Sequence, residues 1–351
     1  MATSVLVTGS SGYIGSHACL ALCAAGHKVV GLDDLSRGNA QAEVVLSKKF
    51  GTSFIPNRGD IADRVLVGKL CKDHSITAVM HFAAKAYVGE SVEQPLLYHD
   101  VNTGGAIALL TAARKAGVTR FIFSSTCATY GEVPPDRIPI NESQPQHPIN
   151  PYGRSKLAFE HVLFDELAAA AAAGKDFAVG VLRYFNVAGS DPGANIGEYH
   201  APETHLIPII LGCLAKVRPD LENTVPVLGG SYPTPDGTPI RDYVHVADLI
   251  RAHEMVLAAL KPGQKMVFNV GTGVGWSVRQ VIAACEKVTG LPVPVSIKPP
   301  RAGDPAKLLA DARAIRSAIG WVPEYPDVHD AIAHAWKWMQ ANPPGKWNPA
   351  L

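Results

Sequence analysis

The chain has 351 residues, 47% of them hydrophobic and 18% charged, which is enough apolar material for two packed units and excludes a disordered chain. Its 32 Lys and Arg against 31 Asp and Glu leave a net charge of +1, and no basic stretch is dense enough to track a phosphate backbone, so nucleic acid is excluded as the main partner. Six irregularly spaced cysteines without Cys-x-x-Cys, thirteen histidines without His-Glu-x-x-His, and no apolar run of membrane-spanning length point to a reduced, cytoplasmic protein with no metal motif and no membrane segment.

From the N-terminus, short β-branched runs alternate with longer amphipathic ones, the pattern of βαβ units around a parallel sheet. Strands are expected at 5–8, 28–32, 78–82, 120–124 and 178–183, and helices at 13–25, 64–73, 102–116 and 151–173. Gly26 and Gly117 fall where helix C-caps belong. After Asn186 the rhythm changes. Residues 187–240 are rich in Pro and Gly, carry one helix near 205–217, and read as a substrate-facing insertion. A helix at 245–260 and a strand at 265–270 follow, then a helix from Ser277 to about 289 with Gln280 completing a capping box, and helices at 311–319 and 328–340. The expected fold class is α/β, a Rossmann-type doubly wound parallel sheet. It would occupy 1–186, with 241–272 returning to it, beside a smaller α/β substrate domain made of 187–240 and 273–351.

The first strand runs into Thr8-Gly9-Ser10-Ser11-Gly12-Tyr13-Ile14-Gly15, which opens the first helix. Bare glycines there let a pyrophosphate approach the backbone at a helix N-terminus, whose partial positive charge favours an anion. The alternative is a turn that is glycine-rich only for close helix–strand packing. Asp33, at the end of the second strand and 18 residues after Gly15, strengthens the first reading, because a carboxylate there can accept from both ribose hydroxyls. Its charge would repel a 2′-phosphate, favouring NAD over NADP, although Arg37 stands nearby. Asp60, at the end of a third strand, falls where an adenine edge would lie, and the small residues after Phe82 sit where a cofactor backbone would pass.

Tyr152 and Lys156 stand one helical turn apart on the same face, just after Pro151 at a first helical position. A phenol acting as a base near pH 7 needs its pKa lowered by roughly three units, about 4 kcal/mol of preference for the phenolate, and the lysine ammonium is an available charge. Ser124, Ser125 and Thr126 close the fifth strand at the carboxyl edge of the sheet, where a hydroxyl can reach a reacting oxygen.

These residues resemble the extended short-chain dehydrogenase/reductase superfamily and, within it, the UDP-glucose (UDP-galactose) 4-epimerase family. The resemblance runs over Thr8 to Gly15, Leu32-Asp33-Asp34, Gly59-Asp60-Ile61, His81 to Ala84, Val88 to Ser91, Tyr152 to Lys156, Leu182 to Asn186, Tyr232 to Thr234, Arg241 to Val246 and Arg301 to Asp304. It implies a tightly held, recycled NAD lined by Gly9, Gly12, Tyr13, Ile14, Gly15, Asp33, Asp34, Leu35, Ser36, Arg37 and Gly38. Asp60, Ile61, Phe82, Ala83, Ala84, Lys85, Ala86, Asn102, Ser124, Tyr152, Lys156, Tyr184 and Phe185 would complete that lining. Tyr152, Lys156 and Thr126 would be catalytic.

The UDP-sugar substrate would be held by Thr126, Asn186, His205, Leu206, Pro226, Val227, Leu228, Arg241, Tyr243, Arg301, Asp304 and Leu308, with the arginines on the diphosphate. The implied reaction is 4-epimerisation through a transient 4-keto sugar with no net redox change, in a homodimer. His205, Ala86 and Leu308 depart from the commonest family pattern, so glucose/galactose, xylose/arabinose and acetamido sugars all stay open. A dehydratase would carry a carboxylate after Thr126, where Cys127 and Ala128 stand instead. The same scaffold could also serve a sugar-nucleotide decarboxylase, a dehydrogenase with exchangeable cofactor or a non-catalytic dinucleotide sensor.

Overall fold

The protein is described by a computed structural model that covers residues 3–216, 224–300 and 305–342. The strands are β1 (Ser4–Thr8), β2 (Lys28–Asp33), β3 (Phe54–Arg58), β4 (Ala78–His81), β5 (Arg120–Thr126), β6 (Ala178–Tyr184), β7 (Asn186–Ala188), β8 (Val225–Leu228), β9 (Ile240–His245), β10 (Lys265–Val270), β11 (Gly275–Ser277), β12 (Val295–Lys298) and β13 (Lys307–Leu308). The helices are α1 (Tyr13–Ala24), α2 (Ala40–Phe50), α3 (Arg64–Asp73), α4 (Val88–Glu93), α5 (Pro95–His99), α6 (Ala106–Lys115), α7 (Pro151–Ala172), α8 (Leu206–Ala215), α9 (Val246–Ala259), α10 (Val278–Thr289), α11 (Arg313–Ile319) and α12 (Val328–Ala341). Among the described residues, no helix is long and apolar enough to cross a membrane. No disulfide joins the six cysteines, five of which are buried.

The chain divides into two compact units. The first takes the chain up to Gly131 with Pro145–Arg183 and Ile250–Phe268, and the second takes Glu132–Gln144, Tyr184–Leu249 and the chain from Asn269. The sequence pattern placed the returning segment at 241–272; the compact unit takes back the shorter stretch that begins at Ile250.

A seven-stranded sheet runs in the order β10-β6-β5-β4-β1-β2-β3, with parallel pairing along β5-β4-β1-β2-β3. This is the doubly wound arrangement read from the sequence. Strands covered on both faces must be apolar throughout, and Leu6, Val30, Leu32, Val79, Phe121, Phe123 and Val179 are fully buried in one cluster with Phe159 and Leu163 of α7. The order reverses at β1, with β2 on one side and β4 on the other, the switch point at which open α/β sheets leave a crevice outside the carboxyl ends of the strands. Gly26 and Gly117 take left-handed φ values of +85° and +94° just past α1 and α6, as the sequence indicates.

In the second unit, β9 is flanked by β11, β13 and β7, while β8 pairs with β12. The Asp242 carboxylate ties this sheet together by accepting from the amides of Thr272, Gly273 and Ala310 at 2.8, 2.9 and 3.1 Å. Trp321, fully buried, donates its indole N–H to the Asp248 carbonyl at 3.0 Å.

Three local expectations change. The helix expected over 102–116 begins at Asp100 with wide π-type turns to Gly105 and is regular only over α6; the widening holds Asn102, whose amide is bonded to Lys85 and Ser155. The helix expected near 205–217 stops at Ala215, because Lys216 turns left-handed at φ +53°. Residues 187–240 hold β8 and parts of β7 and β9, strands too short to show a period of two.

Candidate active site

β1 ends at Thr8 and the chain turns at Gly9, whose φ of +71° is left-handed. No side chain fits there, since a Cβ would lie 2.7 Å from the Ala83 nitrogen; at Gly15 a Cβ would fall 1.9 Å from the Gly9 carbonyl oxygen. Gly9 N–H donates to Leu32 O at 2.9 Å and Phe82 N–H to Thr8 O at 3.1 Å, so the turn is seated between the ends of β2 and β4. Gly12, Tyr13, Ile14 and Gly15 form the first turn of α1, which no side chain caps. Asn39, Asp63, Asn150, Ser277 and Asp327 cap α2, α3, α7, α10 and α12, whereas α4, α5, α6, α8 and α11, like α1, have no side-chain cap; what sets α1 apart is the glycine turn before it. A helix end with bare backbone before it and no side-chain acceptor on it fits an anion.

Asp33 ends β2. Its Oδ2 accepts from Ser11 N–H at 2.9 Å and its Oδ1 from Leu35 N–H at 2.8 Å. Burial pushes the carboxyl above its ordinary range and these two hydrogen bonds oppose the shift. Asp34 accepts from Ser36 N–H at 2.8 Å, and a Cβ on Gly38 would sit 2.7 Å from Asp33 Oδ1. Arg37 is engaged within the protein: its Nη2 lies 2.5 Å from Glu90 Oε1 and its guanidinium stacks 4.8 Å over the Tyr87 ring.

The segment Phe82 to Ala86 is fixed from below. Lys85 N–H donates to Asn102 Oδ1 at 2.8 Å, and Asn102 Nδ2 donates to Lys85 O at 2.9 Å and to Ser155 Oγ at 3.0 Å. Asn102 is buried, so it acts as a strut between this segment and α7. Lys85 Nζ reaches Ser36 Oγ at 3.0 Å, and Asp60 accepts from Ala62 N–H at 2.8 Å beside buried Ile61. The structure therefore gathers these predicted cofactor residues of the first unit around the mouth of the crevice.

α7 carries the predicted proton-transfer pair. Asn150 caps it by accepting from Gly153 N–H at 2.8 Å, and Pro151 occupies its first turn, where a missing N–H costs nothing. Gly153 approaches the turn after β5 so closely that a Cβ would lie 2.5 Å from Ala128 O. This fixes α7 against the residues that follow Thr126, whose hydroxyl accepts from Ala128 N–H at 3.1 Å. Lys156 is 3% exposed, donates from Nζ to Ser124 O at 2.9 Å, and lies 4.9 Å above the Phe123 ring. Burial brings its pKa down to about 7, with Glu160 pulling it back up. His81, which shares a 2.7 Å hydrogen bond with Thr8 through Nδ1, is kept neutral by burial and by the Lys156 charge. The Tyr152 ring stands edge-on to Tyr98, with centroids 6.4 Å apart.

Sequence reading gave no role to the residues behind this pair. Glu160, one turn beyond Lys156, is fully buried and receives Arg183 through Nη2 at 2.5 Å and Nε at 3.0 Å. Ser125 Oγ also donates to Glu160, Arg183 Nη1 donates to Tyr130 Oη at 3.1 Å, and Arg183 Nη2 donates to Gln146 Oε1 at 2.9 Å. This network locks the end of β5 to the middle of α7. The available signal was the extension of Tyr152 and Lys156 by a further four residues to Glu160, paired with an arginine in an otherwise apolar strand.

The remaining predicted residues belong to the second unit. Asn186 pairs with Tyr243 across β7 and β9, and Leu308 with Arg241 across β13 and β9, so one small sheet carries four of them. Arg241 and Tyr243, two apart on a strand, share a face. Asp242 does not serve as a local partner for Arg241, since its carboxylate is taken up by Thr272, Gly273 and Ala310. Pro226, Val227 and Leu228 lie on β8, Leu206 opens α8, and Phe185 N–H bonds Val270 O just after Tyr184 ends β6. Arg301 and Asp304 lie outside the described residues. His205 is drawn into a group the sequence reading missed, with Glu198, His200 and Glu203, whose offered ligand atoms lie within 4.8 Å of one another. The spacing Glu-x-His-x-x-Glu-x-His was its only signal.

The sequence profile of the NAD dependent epimerase/dehydratase family matches residues 5–271. A UDP-glucose 4-epimerase of Halalkalibacterium halodurans is 45% identical over 97% of this chain and 97% of its own length. A probable UDP-arabinose 4-epimerase of Oryza sativa is 41% identical over 98% of this chain and 84% of its own. Among solved structures, the UDP-glucose 4-epimerase of Bifidobacterium longum in complex with NAD+ and UDP superposes with a TM-score of 0.90 at 36% identity, over 98% of this chain and 100% of that one.

Proposed function

The chain belongs to the NAD dependent epimerase/dehydratase family, and from that premise we propose that it interconverts UDP-glucose and UDP-galactose by inverting C4′ of the sugar. It is an isomerase acting on a sugar nucleotide, and its cofactor is NAD. The single observation that carries the mechanistic reading is the assembly, in one unit, of the uncapped α1 turn, the buried Asp33 carboxylate, and the Tyr152–Lys156 pair beside Thr126.

NAD, when bound, supplies the reversible two-electron acceptor for the C4′ carbon. Gly9 to Gly15 would receive its pyrophosphate and Asp33 its adenosine ribose. Tyr152, as phenolate, would take the proton from the 4′-hydroxyl and return it after the ketone has presented its other face. Lys156 would favour the phenolate through its charge, and the Thr126 hydroxyl would hydrogen-bond the same oxygen. Because the sugar must turn over in place, the diphosphate needs the firm grip, and Arg241 with its planar fork of donors is suited to it. Asn186, Leu206 and residues 226–228 would hold the uridine, and Leu308 would bound the sugar. In this reading the first unit is the NAD-binding domain and the second the UDP-sugar-binding domain.

Exposed Val92 and Leu96, on the two short helices just before Asn102, support a homodimer built on the segment from Asn102 and on α7, which sedimentation tests. Cysteines without disulfides support a cytoplasmic location. Incubation with UDP-glucose, UDP-xylose and UDP-N-acetylglucosamine, followed by NMR of the 4′ proton, tests the substrate. Conversion of UDP-glucose ahead of the others is expected; faster turnover of the pentose would move the protein to its arabinose-named relatives, and no conversion of any would overturn the reading.

A further inference from the structure

We propose that Glu198, His200, Glu203 and His205 form a four-coordinate site for a divalent metal of zinc type within the second unit. The inference goes beyond the epimerase reading and shares one residue with it, His205, which the family resemblance sets among those that would hold the substrate. Two imidazoles and two carboxylates are the donor set of a borderline cation, whereas calcium and magnesium prefer oxygen alone.

The distances support it. Tetrahedral zinc with nitrogen and oxygen ligands at about 2.0–2.2 Å separates neighbouring donor atoms by about 3.3–3.6 Å. His200 Nδ1 lies 3.4 Å from Glu198 Oε1 and 3.6 Å from Glu203 Oε2, and the four offered donor atoms all lie within 4.8 Å of one another, close enough to draw in around one ion. A third contact, His205 Nδ1 to Glu198 Oε1 at 2.5 Å, is a hydrogen bond that a metal would replace by displacing its proton.

Glu203 provides the independent pointer to a ligand. Its side chain is wholly buried, and Oε1 is fixed by the amides of Thr204 and His205 at 2.8 and 2.9 Å. That anchoring holds Oε2 toward the cluster, where it accepts no hydrogen bond. His200 Nδ1 at 3.6 Å is a charged partner for that oxygen, and a buried carboxylate oxygen without a hydrogen bond is better satisfied by a metal ion at ligand distance. His205, with a half-exposed side chain, leaves an entry path from solvent. Four protein ligands leave no open position, so the metal would be structural, pinning residues 198–205 to the start of α8.

The test uses the full chain with any affinity tag removed, stripped with dipicolinate and titrated with zinc chloride against a chromophoric chelator. One equivalent of zinc bound at sub-micromolar Kd is expected, weakened at least about 10-fold in Glu203→Gln and in His200→Asn. No stoichiometric binding, or binding equal in both variants and the parent, would overturn the site. Should the variants fold poorly, cobalt(II) loading of the unaltered protein decides: the intense visible bands of a four-coordinate ion support the site, and the weak spectrum of a six-coordinate ion refutes it.

Discussion

Lys156 Nζ donates to the Ser124 carbonyl at 2.9 Å while resting over the Phe123 ring, so a single cation is held between a strand end and an aromatic face with water excluded. The same burial that places this charge under the proposed active site also weakens its hold on a proton.

The pH dependence of stability follows from that. Burial lowers the Lys156 pKa from 10.5 to about 7. Below about pH 7 both folded and unfolded chains carry the proton; between about 7 and 10.5 only the unfolded chain does, so stability rises with pH at up to about 1.4 kcal/mol per unit. Urea unfolding of NAD-free protein should show the wild type gaining on Lys156→Met as pH rises through that window. A difference that stays constant with pH would contradict the assignment.

Tyr152→Phe removes the proton acceptor and leaves the ring. Turnover should fall by about 10²- to 10⁴-fold while co-purifying NAD, read by absorbance after denaturation, is retained. Unchanged turnover would remove the tyrosine from the base role.

Asp33→Asn keeps the size of the side chain and loses its charge and one of two acceptor positions. Hydrogen bonds to a charged group contribute about 1.5–3 kcal/mol, so NAD affinity should weaken roughly 10- to 150-fold. Cofactor should then be lost on gel filtration. Full retention would show that the carboxylate serves only to close the Ser11 and Leu35 turn.

Glu160→Gln leaves the Arg183 guanidinium buried without its counter-charge. Breaking such a pair costs about 3–5 kcal/mol, whereas replacing both partners with Met should recover much of that loss. Denaturant midpoints of the single and double variants test this; a single variant as stable as the parent would show that Tyr130 and Gln146 suffice to hold the arginine.

Sequence pattern revealed the first unit well and the second poorly, for a physical reason. β1, β2, β4, β5 and β6 are largely buried and each carries a run of apolar residues, and Gly9, Gly15 and Asp33 answer to steric and charge demands that few other residues meet. β7, β8 and β13 span three, four and two residues, too few to display any period, and their positions depend on distant partners such as Asp242. The candidate site was legible where one residue type is required at fixed local spacing, as with the proposed pair Tyr152 and Lys156. It was illegible where side chains far apart in sequence converge, as Glu160 does with Arg183 and Ser125, or where an unfamiliar spacing folds into a cluster, as from Glu198 to His205.

The division into units has a functional corollary. Every side chain proposed to move a proton lies in the first unit, and Asn186, Leu206, Pro226 and Arg241, proposed to hold the nucleotide, lie in the second. On the proposed assignment, substitutions in β7, β8 or α8 would alter which sugar nucleotide is accepted and leave Tyr152 and Lys156 in place.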